Sequence, residues 1–214
     1  MTPHHHPSEE FLLDYASGAA TEPFALVVAT HLACCAACRA IVAEAEAIGG
    51  ALLEDLPADA AAASLDQDVS AILARASRQA ADPRRAPAST LAGPLRDYVA
   101  DLETAPWRAL GPGIHHCVLA KDRQGAAARL LRIAPGRSVF EHGHSGNELT
   151  LVLRGGYRAG GTHFQAGDVE CADESTSHRP VADEDGICIC LAVTDAPLRF
   201  RNLLGRAMQT FIGI

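Results

Sequence analysis

The sequence predicts a multidomain α + β protein, with a small helical bundle at the N-terminal end and an antiparallel β-sandwich or barrel after it. Three observations carry that prediction. Residues 1–81 are alanine-rich, with apolar positions recurring at helical spacing. Residues 82–89, Asp82-Pro83-Arg84-Arg85-Ala86-Pro87-Ala88-Ser89, hold two prolines and no apolar period, which reads as a semi-extended linker. After Trp107 the texture changes to short apolar runs broken by glycine at near-regular intervals. The divisions follow as 1–81, a Pro/Arg linker over 82–94, and 95–214. At 214 residues the chain can form one large or two small cores, and a hydrophobic fraction of 48% marks it as globular rather than disordered.

Taken in order, Ser8 reads as the N-cap of a first helix with Glu9 and Glu10 in its first turn, and Gly18 ends it. Thr21-Glu22-Pro23 opens a second helix, which is expected to run to about Ile48 and stop at Gly49-Gly50. Leu52, Leu53 and Leu56 begin an apolar patch before Pro57. Ser64 caps a third helix with Val69, Ile72 and Leu73 on one face. A short helix is expected over 95–102. Strands are expected at 114–120, 127–133, 149–153 and 187–193. The tail 200–214 reads as a last strand or helix laid on the barrel.

Charge is uneven. Residues 1–81 hold eleven Asp and Glu against three Arg, a net of −8, whereas 82–214 hold fifteen of each sign. That disfavours direct nucleic-acid binding, and it fits either a solvated surface or a docking face for a basic partner. No stretch is apolar for long enough to span a membrane. Met1-Thr2-Pro3-His4 lacks the basic and apolar regions of a signal peptide. Seven cysteines, an odd number mostly clustered with histidines, point to a reducing cytoplasm. His4-His5-His6 is shorter than a purification tag and reads as native.

The chemistry of the first part lies in His31-Leu32-Ala33-Cys34-Cys35-Ala36-Ala37-Cys38. On a helix, His31, Cys35 and Cys38 fall within about 60° of one another. Three such donors suit a tetrahedral Zn²⁺, with the fourth ligand coming from His4-His5-His6. Cys34, about 60° to the other side of His31 on the same wheel, competes with Cys35. A disulfide fits poorly, because Cys35 and Cys38 lie one turn apart on a rigid helix.

Together His6, His31, Cys35 and Cys38 form an H-x24-H-x3-C-x2-C pattern that resembles zinc-binding anti-sigma domains. The run Phe24-Ala25-Leu26-Val27-Val28-Ala29-Thr30-His31-Leu32 is similar to that of ChrR-type anti-sigma factors. In the second part, Gly136, His142, His144, Glu148 and Gly155 match the first motif of the cupin family in every fixed position. His142 and His144 are two apart and share a strand face. The second cupin motif is matched only in part. Gly167 and His178 fit it, while Asp173, Ser175 and Ala182 replace the usual proline, glycine and asparagine. The resemblance implies a jelly-roll barrel with a metal held by His142, His144, Glu148 and His178. Ligand type alone admits Zn, Mn, Fe, Ni or Cu there, and resemblance to ChrR-type proteins favours zinc.

The remaining residues have blander readings. Cys188 and Cys190 share a strand face, as core or as oxidant-responsive thiols. Cys171 is placed to line the same cavity, Cys117, His115 and His116 read as structural, and His163 as a surface strand residue. The resemblance implies a cytoplasmic anti-sigma factor, not an enzyme, that silences a group IV extracytoplasmic-function sigma factor through its zinc-containing helical part. An oxidant such as singlet oxygen, received by the cupin-like part, would release the partner. The alternatives are a metal-dependent cupin dioxygenase or isomerase with a helical appendage, and a binding protein whose barrel holds a small effector.

Overall fold

The computed structural model describes residues 2–54, 65–80, 91 and 93–200. Among these residues four helices come first, α1 (Glu9–Ser17), α2 (Glu22–Leu32), α3 (Ala36–Glu54) and α4 (Leu65–Ala80), followed by a 3-10 turn at Gly93–Asp97. Ser8 is extended and precedes α1 without a side-chain cap. Gly18 closes α1 in the left-handed region, at φ 75°, donating its N–H to the carbonyls of Asp14 and Tyr15. Pro23 lies in the first turn of α2, where its missing N–H costs nothing.

The helix expected from Thr21 to about Ile48 is in fact two helices. The chain turns at 33–35, where the N–H groups of Cys34 and Cys35 both donate to the His31 carbonyl. Arg39 Nη1 donates to the Leu32 carbonyl at 2.6 Å, closing the end of α2. Gly49-Gly50 does not stop α3, which continues to Glu54. Glycine costs helix propensity but removes no backbone hydrogen bond. The expected helix over 95–102 is reduced to the 3-10 turn. Leu56, Pro57, the linker 82–89 and the tail beyond Phe200 lie outside the described residues.

Among the described residues twelve strands follow, all paired antiparallel: β1 (Arg108–Gly111), β2 (Ile114–Lys121), β3 (Ala127–Ile133), β4 (His142–Gly143), β5 (Glu148–Arg154), β6 (Gly156–Ala159), β7 (Thr162–Gln165), β8 (Val169–Ala172), β9 (Ser177–His178), β10 (Val181–Ala182), β11 (Cys188–Thr194) and β12 (Arg199–Phe200). A six-stranded sheet has the order β1-β2-β3-β11-β5-β8, and two three-stranded sheets, β10-β6-β7 and β12-β4-β9, complete the β-sandwich.

Alternation along the central strands sorts the side chains into two layers. Leu130, Leu149, Leu151, Ile189, Leu191 and Val193 face outward into one apolar cluster with Val27 and Val28 of α2. Arg129, Leu131, Glu148, Thr150, Cys190 and Ala192 face inward. Every residue of β11 is therefore buried, because a helix covers one face and the barrel interior the other. Phe11 of α1 stacks on Phe24 of α2 with ring centroids 5.5 Å apart. The helices and the sheet thus share one apolar core. Beyond it, Ile48, Leu52 and Leu53 at the end of α3 are 59%, 66% and 68% exposed, and Val69, Ile72 and Leu73 of α4 are exposed as well.

Candidate metal centres

The turn at 33–35 assembles the first cluster. It sets His31 at the end of α2 against Cys35 and Cys38 at the start of α3, and the N-terminal segment returns His6 to the same point. His6 Nδ1 lies 3.5 Å from His31 Nε2 and 3.4 Å from each of Cys35 Sγ and Cys38 Sγ, and His31 Nε2 lies 3.3 Å from Cys38 Sγ. Donors around a tetrahedral Zn²⁺, with bonds of about 2.0–2.3 Å, stand about 3.3–3.8 Å apart. The donor set and its spacing fit that ion. His31, Cys35 and Cys38 are buried. Cys34 is the exposed neighbour, its Sγ–H donating to the His31 carbonyl at 3.2 Å, so of the two adjacent cysteines Cys35 joins the cluster.

The barrel supplies the outer support of this cluster. His31 Nδ1–H donates to the Gly167 carbonyl at 2.9 Å, which fixes the tautomer and leaves the Nε2 lone pair facing the cluster. Burial lowers the His31 pKa and the Gly167 bond acts against it, so the ring is neutral and able to ligate. Asp168 Oδ1 accepts the N–H groups of His4 at 2.7 Å and His5 at 3.1 Å, and Oδ2 accepts that of Gln165 at 2.9 Å. Val169 N–H donates to the His5 carbonyl at 3.0 Å, so the N-terminal segment pairs with the edge strand β8. Burial pushes the Cys38 thiol up to about 12, assisted by its Cys35 neighbour, so thiolate formation there needs a cation.

The second cluster lies inside the barrel. His178 Nε2 is 3.0 Å from His142 Nε2 and 3.2 Å from His144 Nε2, so three Nε2 atoms converge on one point. Each ring turns its Nδ1 outward. His142 Nδ1–H donates to the Phe140 carbonyl at 2.7 Å, and His178 Nδ1–H to Glu170 Oε1 at 2.8 Å, while His144 Nδ1 is buried without a hydrogen-bond partner. Burial pushes His142 and His144 down to about 4, which keeps both neutral. On His178 the Glu170 carboxylate outweighs burial and raises the pKa.

Glu148 stands beside the three nitrogens rather than among them. Its Oε2 is 3.7 Å from His144 Nδ1, and its Oε1 accepts the Thr150 hydroxyl at 3.0 Å. Burial raises its pKa to about 7. The residue the motif reading missed is Glu170. It orients His178 and accepts the Tyr157 hydroxyl at 2.6 Å. Its signal was available in Val169-Glu170-Cys171-Ala172, where an acid occupies the inward phase of a short strand.

Other cysteines and histidines fall as follows. Cys188 and Cys190 are buried, with sulfurs 3.5 Å apart. Cys171 does not line the barrel cavity: its phase on β8 is outward, and its Sγ–H points at the His6 carbonyl at 3.8 Å. His163 pairs with Asp183 at 2.7 Å.

Fold and donor sets define a two-part protein, a helical unit with a cluster of two histidines and two cysteines, seated on a cupin-type barrel that carries a three-histidine cluster. Residues 95–196 match the family model of the ChrR cupin-like domain. The chain is 45% identical over 215 residues to the anti-sigma-E factor ChrR of Cereibacter sphaeroides, with 100% of each covered. A solved structure of Rhodobacter sphaeroides SigE in complex with the anti-sigma ChrR matches at 43% identity and a TM-score of 0.74, covering 91% of this chain and 99% of that one. The chain belongs to the ChrR family of anti-sigma factors, a family of regulators and not of enzymes. No helix among the described residues is long and apolar enough to cross a membrane.

Proposed function

We propose that this chain is a cytoplasmic anti-sigma factor that binds and silences an extracytoplasmic-function sigma factor of group IV. Residues 1–81 form the partner-binding part, with zinc held by His6, His31, Cys35 and Cys38. Residues 95–214 form the sensory part, with a second metal held by His142, His144 and His178, and Glu148 beside them as the fourth ligand. Zinc is the preferred ion at both sites. An oxidative signal of the singlet-oxygen type, received through the barrel, releases the partner. The observation that carries this reading is the 45% identity over the full chain to an anti-sigma factor.

Physical features support it. The apolar residues exposed on α3 and α4 offer a surface for a protein partner, and the excess of acid over 1–81 favours a basic one. Strand β8 touches both clusters, through Gly167 just before it to His31 and through Glu170 to His178. A disturbance in the barrel thereby has a short route to the helical cluster, the backbone from Gly167 to Glu170 with a hydrogen bond at each end. Release needs only a differential effect, since about 3 kcal/mol loosens a complex about a hundredfold.

In vitro transcription from a promoter dependent on the cognate sigma factor tests the proposal. Wild-type protein should repress, and singlet oxygen generated by a photosensitiser should restore transcription. A His142→Ala/His144→Ala variant should repress and no longer respond. Repression lost with the barrel variant, or a normal response from it, would contradict the division of labour.

A further inference from the structure

The barrel interior holds a cavity of about 90 Å³. Ile114, Ile133 and Leu198 are buried parts of its wall, and Leu131, Val139 and Phe140 are half-buried parts. Polar side chains line it as well, but their polar atoms are engaged with one another. The Tyr157 hydroxyl donates to Glu170 Oε2, and Glu170 Oε1 accepts His178 Nδ1–H. The Thr150 hydroxyl goes to Glu148 Oε1, and His142 Nδ1–H to the Phe140 carbonyl. Arg129 Nε and Nη2 are closed off by burial, and the Glu148 carboxylate is the charge that sustains the guanidinium against it. The cavity therefore faces almost wholly carbon.

A space of this kind is a poor site for water, which needs about two to four polar partners. A carbon-walled cavity of about 150 Å³ stays dry and takes benzene or xenon, so the smaller space here suits a guest of about four non-hydrogen atoms. A charged or strongly polar guest would lose its hydration and find no free partner. One ligand-type side chain joins this wall to the three-histidine cluster. His142 lines the cavity, its ring centroid is 6.0 Å from that of Phe200, and its Nε2 is 3.0 Å from His178 Nε2.

We infer that the barrel binds a small uncharged apolar molecule, seated against Leu131, Ile133 and Val139 and touching the ring of His142. Shape and the absence of free polar atoms in the wall supply the recognition, which shuts out acids, amines and sugars. A guest there reaches the histidine cluster through one imidazole. The site stands or falls without the sigma-factor reading.

Full-length protein, as purified, is equilibrated with xenon and with isobutane and followed by NMR, with acetamide as a polar control of isobutane's size. Wild type should bind both apolar probes saturably, moving the Ile133 methyl and His142 ring resonances, and acetamide should leave them in place. Ala192→Leu extends a side chain from β11 into the space and should weaken both apolar probes at least about tenfold. Val139→Phe fills the cavity from its half-buried part with the same expected loss, and it decides the matter if the first variant does not fold. Absence of saturable binding to wild type would overturn the proposal. So would shifts confined to exposed apolar residues such as Leu52 and Leu53, an unmoved His142 ring, acetamide bound as well as isobutane, or wild-type affinity in a folded filled variant.

Discussion

His31 Nδ1–H donates to the carbonyl of Gly167 at 2.9 Å, so a ligand-type residue at the end of α2 is held by a turn of the barrel 136 positions further along the chain. Gly167 has φ 97°, a conformation that side chains rarely adopt, and a Cβ there would lie 3.1 Å from Pro3 Cγ and 3.7 Å from Cys34 Sγ. The turn is therefore tight both in its own backbone and against the N-terminal segment. Gly167→Ala should strain it by about 1–3 kcal/mol. The first centre should then lose zinc to a chelator about tenfold faster, while the metal in the barrel keeps its wild-type rate.

Glu170 offers the matching test on the other side of β8. Glu170→Gln keeps the shape and removes the charge that orients His178. Outer partners of this kind are worth about tenfold to a hundredfold in metal affinity. A chelator competition should show that loss at the barrel site only. Equal affinity in the variant would mean that His178 is fixed by packing alone.

Asp168 gives a pH dependence. Burial would raise its pKa, but the N–H groups of Gln165, His4 and His5 outweigh burial and hold it below the usual carboxylate range. A lowered folded pKa contributes stability that is fully present above the unfolded value of about 4 and lost as pH falls through the folded value. Amide exchange at His4 and His5 should be slow at neutral pH in wild type and faster in Asp168→Asn. In stability measurements carried down through the folded pKa, the difference between the two proteins should shrink to nothing.

The exposed apolar residues on α3 and α4 separate binding from folding. Leu52→Glu/Leu53→Glu and Ile72→Glu/Leu73→Glu remove no core contact, so melting should change by less than about 0.5 kcal/mol per substitution. Affinity for the sigma factor should fall at least about tenfold in one or both. Unchanged affinity in both would move the docking surface elsewhere.

Much of this was legible from residue patterns, and the exceptions share a cause. Strand β3 begins and ends where the short apolar run over 127–133 places it, because a central strand covered on both faces writes its burial into a near-continuous apolar run. The break at 33–35 carries no glycine or proline. It is held by Arg39 reaching back to Leu32 and by two N–H groups on one carbonyl, neither of which local periodicity records. Gly49-Gly50 misled for the converse reason, being a punctuation signal inside a helix whose backbone bonds remain intact. The residue types of the two clusters were visible as spacing. Their supports, Gly167 for His31 and Glu170 for His178, arise from tertiary pairing, and so does the grip of Asp168 on His4, 164 positions away.

The most direct test is metal content per chain on protein purified without chelators and co-expressed with a candidate sigma factor. Wild type should carry two zinc ions. Cys35→Ala/Cys38→Ala and His142→Ala/His144→Ala should each carry one, and the sigma factor should be lost from the first variant and kept by the second. A wild-type count that the cysteine substitutions leave unchanged, with no sigma factor retained by any form, would contradict the account.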